Sequence, residues 1–265
     1  MTAITLLTDF GLADEYAGVL KGVIHGISPA AVIFDVTHGI APQNVVEAAY
    51  TLKASYSYFP EGTIHVAVVD PGVGTARHVV AVRCGGYLFL APDNGLLAPI
   101  LQTHAPDEGY LVENENLFRH PVSATFHGRD IFAPVAAHLS QGLPLKALGR
   151  PLKFDGLQPL PVHGPRLDPS GVLEGQIVGV DRFGNLITNI GSDHLAELGT
   201  GKLDILLGDR TITTVTRTYD HGGIGEILAI IGSRNCLEIA VNGASAADTL
   251  SMTHGEVVRI RAHGQ

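Results

Sequence analysis

Apolar runs alternate with stretches of helical periodicity in the first part of the chain. The strand-like runs are "ITLLTDF", "AVIFDVT" and "TIHVAVVD", and the helix-like stretches between them are "DEYAGVLKGVIHGIS" and "PQNVVEAAYTLKASYSYF". This β-α-β-α-β order predicts a mostly parallel sheet flanked by helices. Two strand-like runs, "HVVAVRC" and "YLFLAPD", and two helix-like stretches, "NGLLAPILQT" and "RDIFAPVAAHLSQG", extend the pattern. We therefore predict an α/β N-terminal domain over residues 1–158.

The hydrophobic pattern and the composition of the sequence change near residue 155. The proline-rich stretch "DGLQPLPVHGPRLDPSG" cannot continue a helix and predicts a linker over residues 159–171. Beyond it, turn signals separate short strand-like runs that show little helical periodicity: "VLEGQIVGVD", "NLITNI", "LDILLGD", "TITTVTRTY", "EILAIIG", "CLEIAVNG" and "VVRIRA". We predict a smaller all-β, barrel-like C-terminal domain over residues 172–265.

Composition and charge narrow the classes of partner. The chain has 265 residues, 45% of them hydrophobic, and a formal net charge of −9. An acidic surface disfavours nucleic acids and anionic membranes as partners. No apolar run approaches the roughly 18 residues of a membrane span, and the start "MTAITLLTDFG" lacks the basic region of a secretion signal. We therefore expect a cytoplasmic protein.

The cysteines and histidines show no spacing typical of metal ligands. Cys84 and Cys236 are far apart in the sequence, and none of the 13 histidines forms an HExxH-type motif. We expect no resident metal and no cofactor.

Acids at strand ends are the recurring polar feature of the first domain. Asp9, Asp35, Asp70 and Asp93 each follow or end an apolar run. The carboxyl ends of parallel strands meet at the crevice where ligands bind, so these acids are candidates for substrate contacts. Capping of the next helix or turn is an equally good explanation for each one taken alone.

Asp70, Arg77 and His127 form the main candidate for catalysis. Asp70 and Arg77 flank the turn in "VVDPGVGTARHVV", and His127 lies in "TFHGRD". If folding brings them together, the three side chains can hold and polarise one water molecule. A purely structural Asp70–Arg77 ion pair fits the sequence as well.

Two loops of the second domain contain further polar candidates. "DRFGNLITN" contains Asp181, Phe183 and Asn185, and "GSRNCLEIAVNG" contains Ser233, Arg234 and Glu238. Turn formation and ordinary surface charge are the alternatives for these residues.

The ordered motifs resemble a known enzyme family. "LLTDFG", "IFDVTHGI", "VVDPGVGTAR", "APDNGLL", "TFHGRDIFAP", "DRFGNLITNI" and "SRNCLEIAVNGASA" together resemble the S-adenosyl-L-methionine (SAM) hydrolases, or SAM hydroxide adenosyltransferases, relatives of fluorinase and chlorinase. The resemblance implies hydrolysis of SAM to adenosine and L-methionine. It also implies an α/β domain followed by a β-barrel, and homotrimers in which the N-terminal domain of one subunit and the C-terminal domain of the next share each active site.

The resemblance assigns the water-handling role to Asp70, Arg77 and His127. The resemblance further implies that fluorinase-like sequences have a tyrosine at the position of Asp70 and lack the arginine and the histidine. A carboxylate repels a halide, so these residues favour water over a halide as the nucleophile.

The resemblance assigns the substrate contacts as well. Asp9 would accept hydrogen bonds from the ribose hydroxyls, Phe183 would stack on adenine and Asn185 would bind its edge. Glu238 and the backbone at Val241 fall on a stretch that resembles further adenosine contacts.

For the methionine part, the resemblance implies that Asp181 and Ser233 bind the ammonium. Arg234 would pair with the carboxylate, a geometry that suits a planar guanidinium.

Three alternatives stay open on the sequence. A halogenase-like enzyme would use the same framework. A metal-dependent nucleotidase would gather a divalent cation between Asp9, Asp70, Asp93 and His127. A sensor would bind SAM without consuming it.

Overall fold

The computed structural model describes residues 2–199, 201–213 and 215–264. Its internal contacts divide the chain into two compact units, Met1–Pro161 (unit 1) and Val162–Gln265 (unit 2). Within the described part of the chain, none of the helices has the length and apolar composition needed to cross a lipid bilayer.

Unit 1 is an α/β structure built on one mixed sheet. In chain order its main elements are β1 (Ala3–Thr8), α1 (Tyr16–Ile27), β2 (Val32–Thr37), α2 (Val45–Ser55), β3 (Ile64–Val68), β4 (Val79–Cys84), β5 (Tyr87–Pro92), α3 (Ala98–Thr103), β6 (Pro106–Leu111) and α4 (Ala133–Ser140). The strand order is β2-β1-β3-β5-β4-β6. β1 pairs in parallel with β2 and β3, and β3 with β5, whereas β4 is antiparallel to both its neighbours. The prediction of a mostly parallel sheet flanked by helices is confirmed.

Both faces of this sheet are covered, which is why its central strands are buried and mostly apolar. Ile4 and Leu6 pack with buried residues of α1 and α4, while Leu7, pointing to the opposite face, packs with α2. In α1, Leu20 and Ile24 are one helical turn apart and fully buried, so the helix presents one apolar stripe to the sheet. Because β1, β3 and β5 run in the same direction, their carboxyl ends lie along one edge of the sheet.

Unit 2 is a barrel-like structure of short strands. Its elements are β7 (Arg166–Leu167), β8 (Leu173–Val180), β9 (Leu186–Gly191), α5 (Ser192–Glu197), β10 (Leu203–Leu207), β11 (Arg210–Ile212), β12 (Val215–Thr216), β13 (Ile227–Ile231), β14 (Cys236–Val241), α6 (Ala246–Leu250) and β15 (Val257–Ala262). The strand order is β11-β10-β15-β8-β9-β14-β13-β12, with β7 beside β8. The predicted all-β, barrel-like architecture is confirmed.

Some local predictions in unit 2 were wrong. The run "TITTVTRTY" is not one strand, because it divides into β11, β12 and a 3₁₀ turn that begins at Tyr219. The helices α5 and α6 were not predicted, and both are too short to show a clear helical period. The proline-rich segment 159–171 contains β7, which pairs with β8.

Candidate active site

The loop between β3 and β4 holds Asp70 and Arg77 at its two ends. Two tight turns fold it back, with Val73 N–H bonded to Asp70 O at 3.1 Å and Thr75 N–H to Gly72 O at 3.1 Å. Gly74 has a φ of +76°, and a Cβ there would lie 2.2 Å from the carbonyl oxygen of Ala124. Only glycine fits this position, and its close approach packs the loop against the segment that leads to His127.

Asp70, Arg77 and His127 form one hydrogen-bonded chain. Arg77 Nε donates to Asp70 Oδ1 at 3.0 Å and Oδ2 at 2.8 Å, and Arg77 Nη2 donates to Oδ2 as well. The same Nη2 donates to His127 Nδ1 at 2.6 Å. The Arg77 and Asp70 side chains are only 11% and 5% exposed. The structure thus brings together the three side chains predicted to handle water.

The direction of these hydrogen bonds fixes the protonation of His127. A guanidinium can only donate, so Nδ1 of His127 must accept and the ring proton lies on Nε2. Burial, reinforced by the positive charge of Arg77, lowers the pKa of His127 against the opposing effects of Asp70 and Asp130. Among the described residues Nε2 has no hydrogen-bond partner, so the neutral imidazole offers a free N–H donor.

A cavity of about 240 Å³ opens in front of this chain. Asp9, Asp70, His127, Phe126 and Gln43 are among its lining residues, whereas Arg77 is not. One oxygen of Asp9, Oδ2, accepts the backbone N–H of Gln43 at 2.8 Å. The described residues leave the other oxygen of Asp9 without a hydrogen bond, so it can accept one from a ligand.

His127 sits at the start of an unusual turn. Gly128–Phe132 form one turn of π-helix before α4, and Asp130 within it is fully buried. Asp130 accepts hydrogen bonds from Arg129 Nε at 2.7 Å and from the backbone N–H of Ser123 at 2.8 Å. Although burial alone would raise it, these bonds hold the pKa of Asp130 below its usual value, so the group stays ionised and anchors the turn.

The other two strand-end acids have protein partners. Asp93 Oδ1 accepts the backbone N–H of Gln158 at 2.9 Å, and Asp35 pairs with Lys21 and His38. Neither lines the cavity with Asp70. Within residues 2–199, 201–213 and 215–264, no group of three or more His, Cys, Asp or Glu side chains is arranged to hold a metal ion.

Unit 2 contains a larger cavity of about 870 Å³, within the usual range of about 300–1,000 Å³ for small-molecule sites. All the substrate-contact residues predicted for the second domain line it: Asp181, Phe183, Asn185, Ser233, Arg234, Glu238 and Val241.

The turn between β8 and β9 supplies three of these residues. Asp181 Oδ1 accepts the backbone N–H groups of Phe183 and Asn185, each at 2.9 Å, and its Oδ2 accepts from Asn185 Nδ2 at 2.9 Å. Asp181 therefore does shape the turn, although a carboxylate has about four acceptor sites and can take one more donor. The Phe183 side chain is 79% exposed, so its ring faces are open to a ligand.

The turn between β13 and β14 supplies Ser233 and Arg234. Both are exposed at its tip, while Glu238, on β14, is 5% exposed. Burial raises the pKa of the Glu238 carboxyl above its usual value; the hydroxyl of Tyr219, which donates to it at 3.3 Å, opposes that rise.

Tyr219 lines the same cavity, although it was not predicted as a site residue from the sequence. It lies in the stretch interpreted as a strand, and it is the start of a 3₁₀ turn. The sequence signal that could have identified Tyr219 is its position directly before "DHGG", a polar, glycine-containing stretch that indicates a loop and not a strand.

Comparisons with known proteins agree with this geometry. Residues 4–149 match the SAM hydroxide adenosyltransferase N-terminal domain, and residues 175–259 match the C-terminal domain of the same family. An "(R)-S-adenosyl-L-methionine hydrolase" of Thermus thermophilus is 38% identical, over 98% of this chain and 100% of that protein. A "Fluorinase" of an Actinoplanes species is 32% identical, over 97% of this chain and 96% of that protein. The crystal structure of an uncharacterized conserved protein from Thermotoga maritima superposes with a TM-score of 0.89 at 38% identity, covering 97% of this chain and 99% of that one.

Proposed function

The chain belongs to the SAM hydroxide adenosyltransferase family, and from that premise we propose that it hydrolyses S-adenosyl-L-methionine to adenosine and L-methionine. The observation that carries the proposal is the Asp70–Arg77–His127 chain beside an open cavity. A carboxylate and an imidazole N–H at one cavity wall suit a water molecule, which needs both an acceptor and a donor.

In the proposed reaction, water attacks C5′ in line with the C5′–S bond. The C5′–O bond forms, the C5′–S bond breaks, and its electron pair converts the sulfonium to a neutral thioether. Since the leaving group takes up no proton, no general acid is needed on the methionine side. The water loses one proton, and the protein has to orient the water and stabilise its developing hydroxide character.

The hydrogen-bond directions divide this work between the side chains. His127 Nε2–H donates to the water oxygen, and Asp70 accepts one of its protons. Arg77 does not line the cavity, so its role is to hold the Asp70 carboxylate and the His127 ring in place, and its charge helps to keep the imidazole neutral.

The residues that line the two cavities are assigned to different parts of the substrate. Asp9 binds the ribose hydroxyls through its free oxygen, Phe183 stacks on adenine, Asn185 binds its edge, and Glu238 and the Val241 backbone contact the adenosine.

Ser233 and Asp181 bind the methionine ammonium, and Arg234 binds the carboxylate. Support comes from their shared position on the larger cavity, with the two exposed turn-tip residues able to reach a charged ligand.

We also propose a homotrimer whose active sites lie at subunit interfaces. The cavity beside Asp70 is smaller than a typical small-molecule site, so the water-handling residues need a second wall that presents the substrate. In the family arrangement, the unit 2 cavity of a neighbouring subunit supplies that wall. The cytoplasmic location stays a prediction from sequence.

Chromatography of SAM incubated with the pure protein tests the function. We expect adenosine and methionine, indifference to chelators, and no 5′-halo-5′-deoxyadenosine when chloride or fluoride is added. In ¹⁸O-water the label should enter the 5′-oxygen of adenosine and be absent from methionine. Intact SAM after prolonged incubation would support a sensor, loss of activity with chelator would support a metal enzyme, and a halogenated product would support a halogenase.

A further inference from the structure

A second histidine-centred hydrogen-bonded chain begins at Thr8, the residue before Asp9. Thr8 Oγ1 is 2.7 Å from His38 Nδ1, and His38 Nε2 is 3.0 Å from Asp35 Oδ1. Thr8 is fully buried and His38 is 3% exposed. Strand pairing creates this arrangement, because β1 and β2 run parallel with Leu6 opposite Asp35 and their register shifts just after that pair.

The carboxylate of Asp35 sets the hydrogen-bond directions for the neutral form of His38. An ionised carboxylate can only accept, so His38 Nε2 carries the ring proton and Nδ1 accepts from the Thr8 hydroxyl. The backbone N–H of Phe10 donates to Thr8 Oγ1 at 3.2 Å, which leaves the hydroxyl proton available for His38. The proton on His38 Nε2 then points to Asp35, which also pairs with Lys21 at 2.5 Å. Although burial opposes it, the bonds from Lys21 and His38 keep the pKa of Asp35 below its usual value, so the acceptor stays ionised.

The same chain connects to both sides of Asp9. The carbonyl of His38 accepts the N–H of Gly11 at 2.7 Å, which ties the end of the Thr8–Gly11 turn to the His38 segment. That segment continues to Gln43, whose backbone N–H binds Asp9 Oδ2. Gln43 has a φ of 64°, a left-handed conformation that a non-glycine residue adopts only under constraint.

We propose that His38, bound between Thr8 and Asp35, is a positioning residue that sets the Asp9 carboxylate for the ribose hydroxyls. His38 itself does not line the cavity; it acts through the turn that carries Asp9. The proposal rests on the ribose role given to Asp9 above. It gives the "IFDVTHGI" motif a function that the water-handling residues do not explain.

The chain contains a matched control. His65 is also fully buried in unit 1, and its Nδ1 is 2.8 Å from the hydroxyl of Thr5, another threonine of β1. Thr5 lies three residues before Thr8, inside the strand and away from the Asp9 turn. Replacing His65 removes a similar buried imidazole and a similar hydrogen bond without touching Asp9.

The test compares His38→Ala, His38→Asn and His65→Ala. Binding of adenosine and of 2′,3′-dideoxyadenosine, which lacks both ribose hydroxyls, is measured by calorimetry for each. We expect His38→Ala to weaken adenosine binding about tenfold while dideoxyadenosine binding changes less than about twofold, since a carboxylate displaced by about 1 Å loses its hydrogen bonds. His38→Asn should restore discrimination, because its amide oxygen can accept the Thr8 proton in place of Nδ1. His65→Ala should leave discrimination unchanged.

Amide hydrogen exchange supplies a readout that does not depend on the ligand. Exchange at Phe10, Gly11 and Gln43 should accelerate in His38→Ala and stay unchanged in His65→Ala. If the unaltered protein leaves SAM intact, the proposed function fails, while the exchange result still decides whether His38 fixes the Asp9 turn. Unchanged exchange, or equal weakening of both nucleosides, would overturn the proposal for His38.

Discussion

The guanidinium of Arg77 donates to Nδ1 of His127 over 2.6 Å while the same group holds both carboxylate oxygens of Asp70. One guanidinium thereby orients both the Asp70 carboxylate and the His127 ring. It keeps the carboxylate oriented, and it reserves the imidazole as a neutral donor whose N–H points away from the arginine. The predictions below separate these effects from substrate binding.

Replacing Asp70 with Asn should lower kcat by about 100-fold or more, the usual contribution of a positioned base, and change the Kd of SAM by less than about twofold. Asn keeps the size of the side chain but accepts a proton poorly. Single-turnover kinetics and calorimetry give the two constants separately. Loss of affinity with turnover of bound SAM preserved would make Asp70 a binding residue.

The pH dependence of kcat/KM should report the ionisation of His127. Because burial and Arg77 lower its pKa below 6.5, His127 is neutral at pH 7 and kcat/KM should fall only as pH drops through that lowered value. In Arg77→Gln the positive charge is gone, so the acid limb should move to higher pH. An acid limb at the same pH in both proteins would show that another group controls it.

Arg234→Ala should weaken SAM binding by about ten- to 100-fold, corresponding to the roughly 1.5–3 kcal/mol of a lost charge-assisted bond, and leave adenosine binding nearly unchanged. Arg234 is exposed at its turn, so truncation removes a ligand contact without opening the core. Calorimetric titration with both ligands measures the difference. Equal weakening of the two would contradict the assignment to the methionine carboxylate.

Mixed oligomers should recover activity if neighbouring subunits share each site. Asp70→Asn and Arg234→Ala subunits are each impaired alone when SAM is kept well below the KM of Arg234→Ala. Under that condition their co-expression should give about a quarter of the original activity, because a random half of the subunits has an intact unit 1 and the other half an intact unit 2. The matched control combines Asp70→Asn with Asp9→Asn, both altered in unit 1, and should stay inactive. No recovery in the first mixture would place each site within one subunit.

The buried imidazole of His65 should make the protein less stable in mild acid. Burial lowers the pKa of His65 to about 4, from 6.5 in the unfolded chain, so its contribution is complete above pH 6.5 and is lost as pH falls toward 4. Between pH 7 and 5 the free energy of unfolding should fall by about 2 kcal/mol more than in His65→Phe, which cannot titrate. Urea unfolding at fixed protein concentration measures this, and equal pH dependence in both proteins would rule it out.

The sheet of unit 1 could be predicted because its central strands are buried on both faces and their helices have a clear period. β6 was missed for the opposite reason, since "PDEGYL" is a half-exposed edge strand with proline and glycine and lacks a continuous apolar run. β4 runs antiparallel to β5 and β6. This direction could not be predicted, because a local hydrophobic pattern does not show which strands will pair.

The candidate site shows the same division. Asp70 and Arg77 flank one short loop, so their proximity follows from the loop, whereas the position of His127 beside them was implied by the family resemblance. The tautomer of His127 could not be predicted, because it depends on which nitrogen meets the guanidinium. The Thr8–His38–Asp35 chain depends on the register of two strands, and Tyr219 lies in a 3₁₀ turn that the sequence pattern disguises as a strand. Their functional roles stay predictions until the variants are measured.

The placement of Asp70 and Arg77 on one short loop has an evolutionary consequence. Both ends of that loop are fixed by buried strands, β3 and β4, so substitutions within it can exchange the groups proposed to handle the nucleophile while the sheet and the larger cavity are inherited intact. The third residue proposed to handle the nucleophile, His127, follows the segment that the loop touches at Gly74. A family that includes proteins named hydrolase and fluorinase can diverge in this way through a few neighbouring codons, with no intermediate that has to rebuild its core.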